Sequence, residues 1–168
     1  EGGIYSSPFK EDNRLFVGDD TGKLTAYNIK NGKRLWQFSV QRRIVGDCAA
    51  ENGIVVFGSA DSTVYGVSSA NGKMIWKLKT QGPVLGAVRI VNGLAYIGAS
   101  DNKMRCIDTK TGKEVWEYSG VTGYIVTRPL VTDGKVIFGA WDNTLYALDA
   151  SNGSEVWKWK GGKDGMHF

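Results

Sequence analysis

The chain has 168 residues, 42% hydrophobic and 11% aromatic, which is enough apolar mass for one packed core and excludes an intrinsically disordered segment. Its net charge of +4 arises from 21 basic and 17 acidic residues interspersed along the chain, Arg42-Arg43 being the one adjacent arginine pair, so the clustered basic face of a nucleic-acid binder is excluded. No apolar run reaches the roughly 18 residues of a membrane span, and no charged segment followed by an apolar one marks the N-terminus.

Taken in chain order, the first unit breaks into four short runs, Ile4–Phe9, Leu15–Gly18, Leu24–Ile29 and Arg34–Phe38, rich in β-branched and aromatic residues. Asp19-Asp20-Thr21-Gly22 reads as the turn between the second and third runs, and Asn31-Gly32 as the turn between the third and fourth, a pair able to take positive φ in a tight hairpin. The next units repeat this order. Gly18, Gly58, Gly98 and Gly139 close matching apolar runs at spacings of 40, 40 and 41 residues. Trp36, Trp76, Trp116 and Trp157 each follow their glycine by 18 residues, with Gly32, Gly72, Gly112 and Gly153 four residues before each tryptophan. Ile4, Ile44, Val84 and Ile125 each precede the repeat glycine by 14 residues and open an extended segment. No stretch carries a 3.6-residue period, so no helix is expected.

Four short antiparallel strands in each repeat of about 40 residues is the pattern of a β-propeller blade. The fold class is therefore all-β, a propeller of four-stranded antiparallel blades, with units at about 4–40, 44–80, 84–120 and 125–160 and with 161–168 as a tail or the start of a further blade. Met166 falls nine residues after Trp157, where a next opening strand belongs. The start at Glu1 rather than Met leaves room for an upstream signal peptide or domain.

The segments Ala26-Tyr-Asn-Ile-Lys-Asn-Gly-Lys-Arg-Leu-Trp36 and Ala147-Leu-Asp-Ala-Ser-Asn-Gly-Ser-Glu-Val-Trp157 resemble the A-x-D-x-x-T-G-x-x-x-W motif of pyrroloquinoline-quinone-like, or quinoprotein-type, propellers. The third unit, Cys106 to Trp116, fits apart from Cys for Ala, and the second, Gly66 to Trp76, departs at Ala and Asp yet keeps Gly72 and Trp76. The resemblance implies that the four tryptophans pack against neighbouring blades and that a full propeller has seven or eight blades. The four here would then be an arc, completed by further blades of the same parent chain. A closed four-bladed ring, or two copies pairing into eight, are the alternatives that symmetry allows.

Positions that vary between repeats are where function is expected. Ser7, Asp47, Ala87 and Arg128 occupy the equivalent position near the propeller axis, and the carboxylate of Asp47 and guanidinium of Arg128 stand out as ligand or partner contacts. Trp141 interrupts a turn where the siblings carry Asp20, Ala60 and Ser100, and Arg42, Arg43 and Tyr124 lie in blade-to-blade connections expected to open on the same face.

Catalytic signatures are missing from the sequence. The single histidine, His167, is in the tail, and there is no nucleophile elbow, phosphate-cradling loop or metal-ligand spacing. Asp19-Asp20-Thr21-Gly22 lacks the alternating oxygen ligands of a calcium loop. Cys48 and Cys106 read as buried small hydrophobes, and they are not the adjacent pair that the resemblance associates with quinone dehydrogenases. The expectation is a non-catalytic scaffold that binds a protein or small ligand, bacterial and periplasmic or extracellular by family resemblance, with no cofactor. Its rival is half of a quinone-dependent alcohol or sugar dehydrogenase, using the quinone with calcium, whose catalytic residues lie elsewhere.

Overall fold

Short β-branched runs bounded by turn residues can satisfy their backbone groups only by pairing with their sequence neighbours. The computed structural model, which describes residues 2–161, shows this as four antiparallel four-stranded sheets. The first blade comprises β1 (Phe9–Glu11), β2 (Arg14–Gly18), β3 (Lys23–Asn28) and β4 (Arg34–Ser39). The second comprises β5 (Ala49–Glu51), β6 (Ile54–Ser59), β7 (Thr63–Ser68) and β8 (Met74–Lys79). The third comprises β9 (Arg89–Val91), β10 (Leu94–Gly98), β11 (Met104–Asp108) and β12 (Glu114–Tyr118). The fourth comprises β13 (Leu130–Thr132), β14 (Lys135–Ala140), β15 (Thr144–Asp149) and β16 (Glu155–Lys160). Strand order within every blade is sequential, and β1, β5, β9 and β13 succeed one another along the inner rim. Among the described residues there is no helix, and none therefore long and apolar enough to cross a membrane. The expectation that Met166 opens a further strand lies outside the described residues, as does His167.

Two details differ from the sequence reading. The opening run Ile4–Phe9 is not a strand: β1 begins only at Phe9. In the equivalent segments, the backbone N–H groups of Ile44, Val84 and Ile125 donate to Asp19, Ser59 and Ala99 of the preceding blade, so these residues bridge blades instead of joining their own ladder. The Asn-Gly pairs before the tryptophans do not form two-residue turns. Gly32, Gly72, Gly112 and Gly153 take positive φ and donate four residues back, to Asn28, Ser68, Asp108 and Asp149, within a longer turn that ends in a register shift. Asn31, Asn71 and Asn152 keep out of the left-handed region and use their side-chain oxygens to accept the N–H two residues on. The two-residue turns, with both central residues at positive φ, lie between the first and second strands of later blades, at Asn52-Gly53, Asn92-Gly93 and Asp133-Gly134.

The core lies between blades. One apolar cluster joins the first blade to the second through Phe16, Leu24, Ile44, Val55 and Phe57; a second joins the next pair through Val64, Trp76, Val84 and Ile97; a third joins the last pair through Met104, Trp116, Ile125, Phe138 and Tyr146.

Each junction uses two large side chains seated on glycines. Ile44, Val84 and Ile125 sit over Gly18, Gly58 and Gly98 of the preceding blade, so that a Cβ on those glycines would fall within 2.4 Å of the branched side chain. In the opposite sense, Trp36, Trp76 and Trp116 lie over Gly72, Gly112 and Gly153 of the following blade. Their indole N–H groups donate to the carbonyls of Ser69, Thr109 and Ala150 at 3.0, 2.6 and 3.0 Å. Along the inner rim, Glu11 and Glu51 accept from the backbone N–H of Gly53 and Gly93 in the next blade, while the equivalent residue of the third blade is Val91 and makes no such tie.

Replacing Trp76, which combines burial with a hydrogen bond, should cost about 3–5 kcal/mol for Trp76→Ala. Trp76→Phe, which keeps a six-membered ring but loses the indole N–H and orphans the Thr109 carbonyl, should cost about 1–3 kcal/mol. Urea denaturation of the two variants beside the parent chain measures both, and a Trp76→Phe variant as stable as the parent would show that the hydrogen bond contributes nothing.

Candidate functional site

Loops that join blades are free of the packing demands met by strands, so their side chains can face solvent. A four-fold backbone pattern organises one such surface. The N–H two residues after each repeat glycine donates to a carbonyl in the connection leading into the blade: Asp20 to Gly3, Ala60 to Arg43, Ser100 to Pro83 and Trp141 to Tyr124. All these positions therefore share one face. In the fourth blade the pair is aromatic. Trp141 is 68% exposed and Tyr124 48%, and their rings lie 5.8 Å apart at 47°.

The turn under Trp141 is braced. Asp142 accepts from the Thr122 N–H at 3.0 Å, the Thr122 hydroxyl at 3.1 Å, the Thr144 N–H at 3.1 Å and the Tyr146 hydroxyl at 2.6 Å. Gly123 lets the connection approach so closely that a Cβ there would lie 2.4 Å from the Asp142 nitrogen. Burial would raise the Asp142 carboxyl, but the Tyr146 hydroxyl and the Thr122 and Thr144 donors hold it below its ordinary value. Burial first, and then donation to Asp142, push the Tyr146 phenol up to about 12.

This brace recurs in a form the sequence reading missed. Asp61, Asp101 and Asp142 each follow their repeat glycine by three residues, and each accepts from the side chain four residues on: Tyr65 at 2.9 Å, Arg105 at 3.0 and 2.6 Å, and Tyr146. Arg105 is buried and also faces Glu114 at 3.3 Å and Glu117 at 3.0 Å. Its charge is compensated inside one blade, so it is a structural cation. The signal was the i, i+4 spacing after the glycine, hidden because the donor changes from Tyr to Arg and back.

The other expected site residues are distributed differently. Arg42 and Arg43 are exposed on the same face, their carbonyls accepting from Ser59 and Ala60, but they stand two blades from Trp141 and do not touch it. Asp47 and Arg128 precede the inner strands and do not lie in them, and they form no ion pair with each other. The Asp47 carboxylate instead accepts the Ser7 backbone N–H at 2.5 Å, while Arg128 is exposed. Both charges are felt by the Cys48 thiol, which burial pushes up to about 12, Asp47 adding to the rise and Arg128 opposing it. Cys106 is likewise free, buried and pushed by burial up to about 12, so neither thiol is available as a thiolate. Among the described residues no group of three or more His, Cys, Asp or Glu side chains could hold a metal ion.

Sequence comparison with curated proteins finds no match. The family model described as outer membrane protein assembly factor BamB matches residues 1–119 and, again, 86–167. The chain belongs to the BamB family of quinoprotein-like repeats. BamB from Moraxella catarrhalis superposes with a TM-score of 0.83 at 20% identity, over 94% of this chain and 53% of that one. A quinohemoprotein alcohol dehydrogenase from Pseudomonas putida HK5 gives 0.83 at 17% identity, over 95% of this chain and 34% of that one. The computationally designed Ika4 protein gives 0.80 at 22% identity, over 89% and 92%. At these identities the superpositions establish the propeller fold. The chain spans about half the length of the Moraxella BamB.

The lowered carboxyl of Asp142 sets a pH dependence. Its charged form is favoured by the fold, so the stability it contributes is complete above the ordinary carboxylate value of about 4 and is lost as pH falls through the lowered value. Asp142→Asn should therefore reduce the melting temperature at neutral pH and flatten its fall below pH of about 4, as read by thermal melts across an acid series.

Proposed function

We propose that this chain is a non-catalytic propeller scaffold that binds a protein partner outside the cytoplasm, through the face carrying Trp141 and Tyr124. The observation that carries the reading is the solvent-facing aromatic pair, its rings in tilted contact, on a braced turn where the sibling blades present Asp20, Ala60 and Ser100. Aromatic side chains held rigid at a surface bury much area at little conformational cost and dominate protein interfaces. Arg42 and Arg43 extend the same face as rim charges, and Arg128 adds a cation near the axis. Membership of a family named for an assembly factor agrees with a role in holding proteins together, and the extracytoplasmic setting follows from that family alone.

The expected test is retention of extracytoplasmic proteins by the immobilised chain, compared with Trp141→Ala and Arg128→Ala. Trp141→Ala should lower retention of the specific partner at least about 10-fold, as loss of an interface anchor does. Unchanged retention would move the binding surface elsewhere. The dehydrogenase reading predicts instead a saturable absorbance change on titration with pyrroloquinoline quinone and calcium, together with dye-linked oxidation of alcohols or sugars. Neither is expected under the scaffold reading.

A further inference from the structure

Three hairpins of the inner rim share one geometry and differ in what faces a single peptide unit. Asn52-Gly53, Asn92-Gly93 and Asp133-Gly134 join the first and second strands of the second, third and fourth blades, with both residues of each pair at positive φ. In all three the glycine carbonyl is held in the same way, accepting from the backbone N–H of Ser69, Thr109 and Ala150 at 2.8, 3.0 and 2.9 Å. The space over them is equally open. A Cβ on Gly53 or Gly134 would meet nothing within 4 Å, and one on Gly93 only the Thr109 hydroxyl at 3.9 Å. Asn52, Asn92 and Asp133 are all exposed.

The glycine N–H is where they part. Gly53 donates to the Glu11 carboxylate at 3.0 Å and Gly93 to the Glu51 carboxylate at 2.5 Å. The Gly134 N–H has no acceptor among the described residues, because the third blade carries Val91 at the place of those glutamates. The oxygen of the same peptide unit differs as well. The Lys135 ammonium donates to the Asp133 carbonyl at 3.2 Å, whereas Ile54 and Leu94 follow the other two glycines.

An Asn or Asp side chain before glycine can be attacked at Cγ by the glycine nitrogen, which no Cβ shields and whose backbone is free to turn. The attack makes two demands: the amide must lose its proton, and the peptide plane must swing toward the side chain. A carboxylate bonded to the N–H opposes both, since its charge disfavours the amide anion and its hydrogen bond fixes the plane. An ammonium on the carbonyl oxygen acts in the opposite sense, because the charge of the amide anion is shared with that oxygen. The first condition holds at Gly53 and Gly93, and the second at Gly134.

We propose that Asp133-Gly134 is a spontaneous backbone-modification site, where Asp133 converts to isoaspartate through a succinimide, and that Glu11 and Glu51 guard the equivalent turns against the same reaction. The Gly134 nitrogen bonds to Cγ of the neutral Asp133 carboxyl, the N–H proton passes to solvent, and the Cγ–OH bond breaks; proton and hydroxide leave together as one water. Water then opens the ring. Addition at Cγ restores Asp133, whereas addition at the main-chain carbonyl breaks its bond to the Gly134 nitrogen and leaves the chain running through Cγ. The two steps release and consume one water each, and nothing is oxidised or reduced. The product has one more main-chain carbon in a two-residue turn, so the pairing of Thr132 with Lys135 loses its register in the blade that carries Trp141.

The test is to age the full 168-residue chain in neutral buffer and map isoaspartate by peptide mass spectrometry with electron-transfer fragmentation. Isoaspartate should accumulate at position 133. Val91→Glu supplies the missing carboxylate and should slow its formation about 10-fold with an unchanged circular dichroism spectrum. Lys135→Ile should slow it as well. Asp133→Asn makes the three turns chemically alike, and position 133 should then lose ammonia about 10-fold faster than Asn52 or Asn92. Adding Glu51→Val to that chain should bring Asn92 up toward the faster rate and leave Asn52 unchanged. An aged parent chain without isoaspartate at position 133 overturns the proposal. So does a single rate at all three turns of the Asp133→Asn chain, or a Val91→Glu chain that isomerises as fast as the parent.

Discussion

A β-sheet of four short strands has two apolar faces and cannot bury either by itself, so every blade depends on how closely the next sheet can approach. In this chain that approach is set by large side chains seated on glycines, in both directions across each junction: Ile44 on Gly18 and Trp36 on Gly72 at the first, with equivalents at the other two. A methyl group at any of these glycines would overlap its neighbour, and a smaller residue in place of tryptophan would leave a hole and an unpaired carbonyl. The four turns, the register shifts beside them and the placement of the three apolar clusters follow from holding these contacts in register.

Much of this was legible because it repeats. The glycine and tryptophan positions recur at fixed spacing, and a period of 40 residues with four short apolar runs has few architectural solutions. The opening segments were misread because Ile4–Phe9 has strand composition; nothing local reveals that their N–H groups are spent on the preceding blade. The Asn-Gly pairs were assigned the wrong turn for a related reason. The same dipeptide serves both a two-residue hairpin, as at Asn52-Gly53, and a bulged turn, as at Asn71-Gly72, and the flanking register decides between them.

At the site, Trp141 was legible as a departure from its siblings, and the structure adds that Tyr124 packs against it at a tilt and Asp142 braces the turn beneath. The brace was invisible because hydrogen-bonded equivalence between tyrosine and arginine leaves no repeated letter. Asp47 and Arg128 show the opposite failure. They were conspicuous as charges near an axis, yet Asp47 is engaged by the Ser7 backbone and the two do not pair. Charge alone marks a position as unusual, and its hydrogen-bond partners decide whether it is free to recognise anything.

The inner rim carries one further asymmetry. Glu11 and Glu51 tie the first three blades together through backbone N–H groups, and Val91 leaves the third and fourth without that tie. At that junction side chains farther from the axis supply the ties instead: the Tyr118 hydroxyl of the third blade donates to the Glu155 carboxylate of the fourth, and the Tyr96 hydroxyl to the Ala150 carbonyl. The blade that presents Trp141 is thus held to its neighbour by tyrosine hydroxyls, where the earlier junctions use carboxylates at the inner rim.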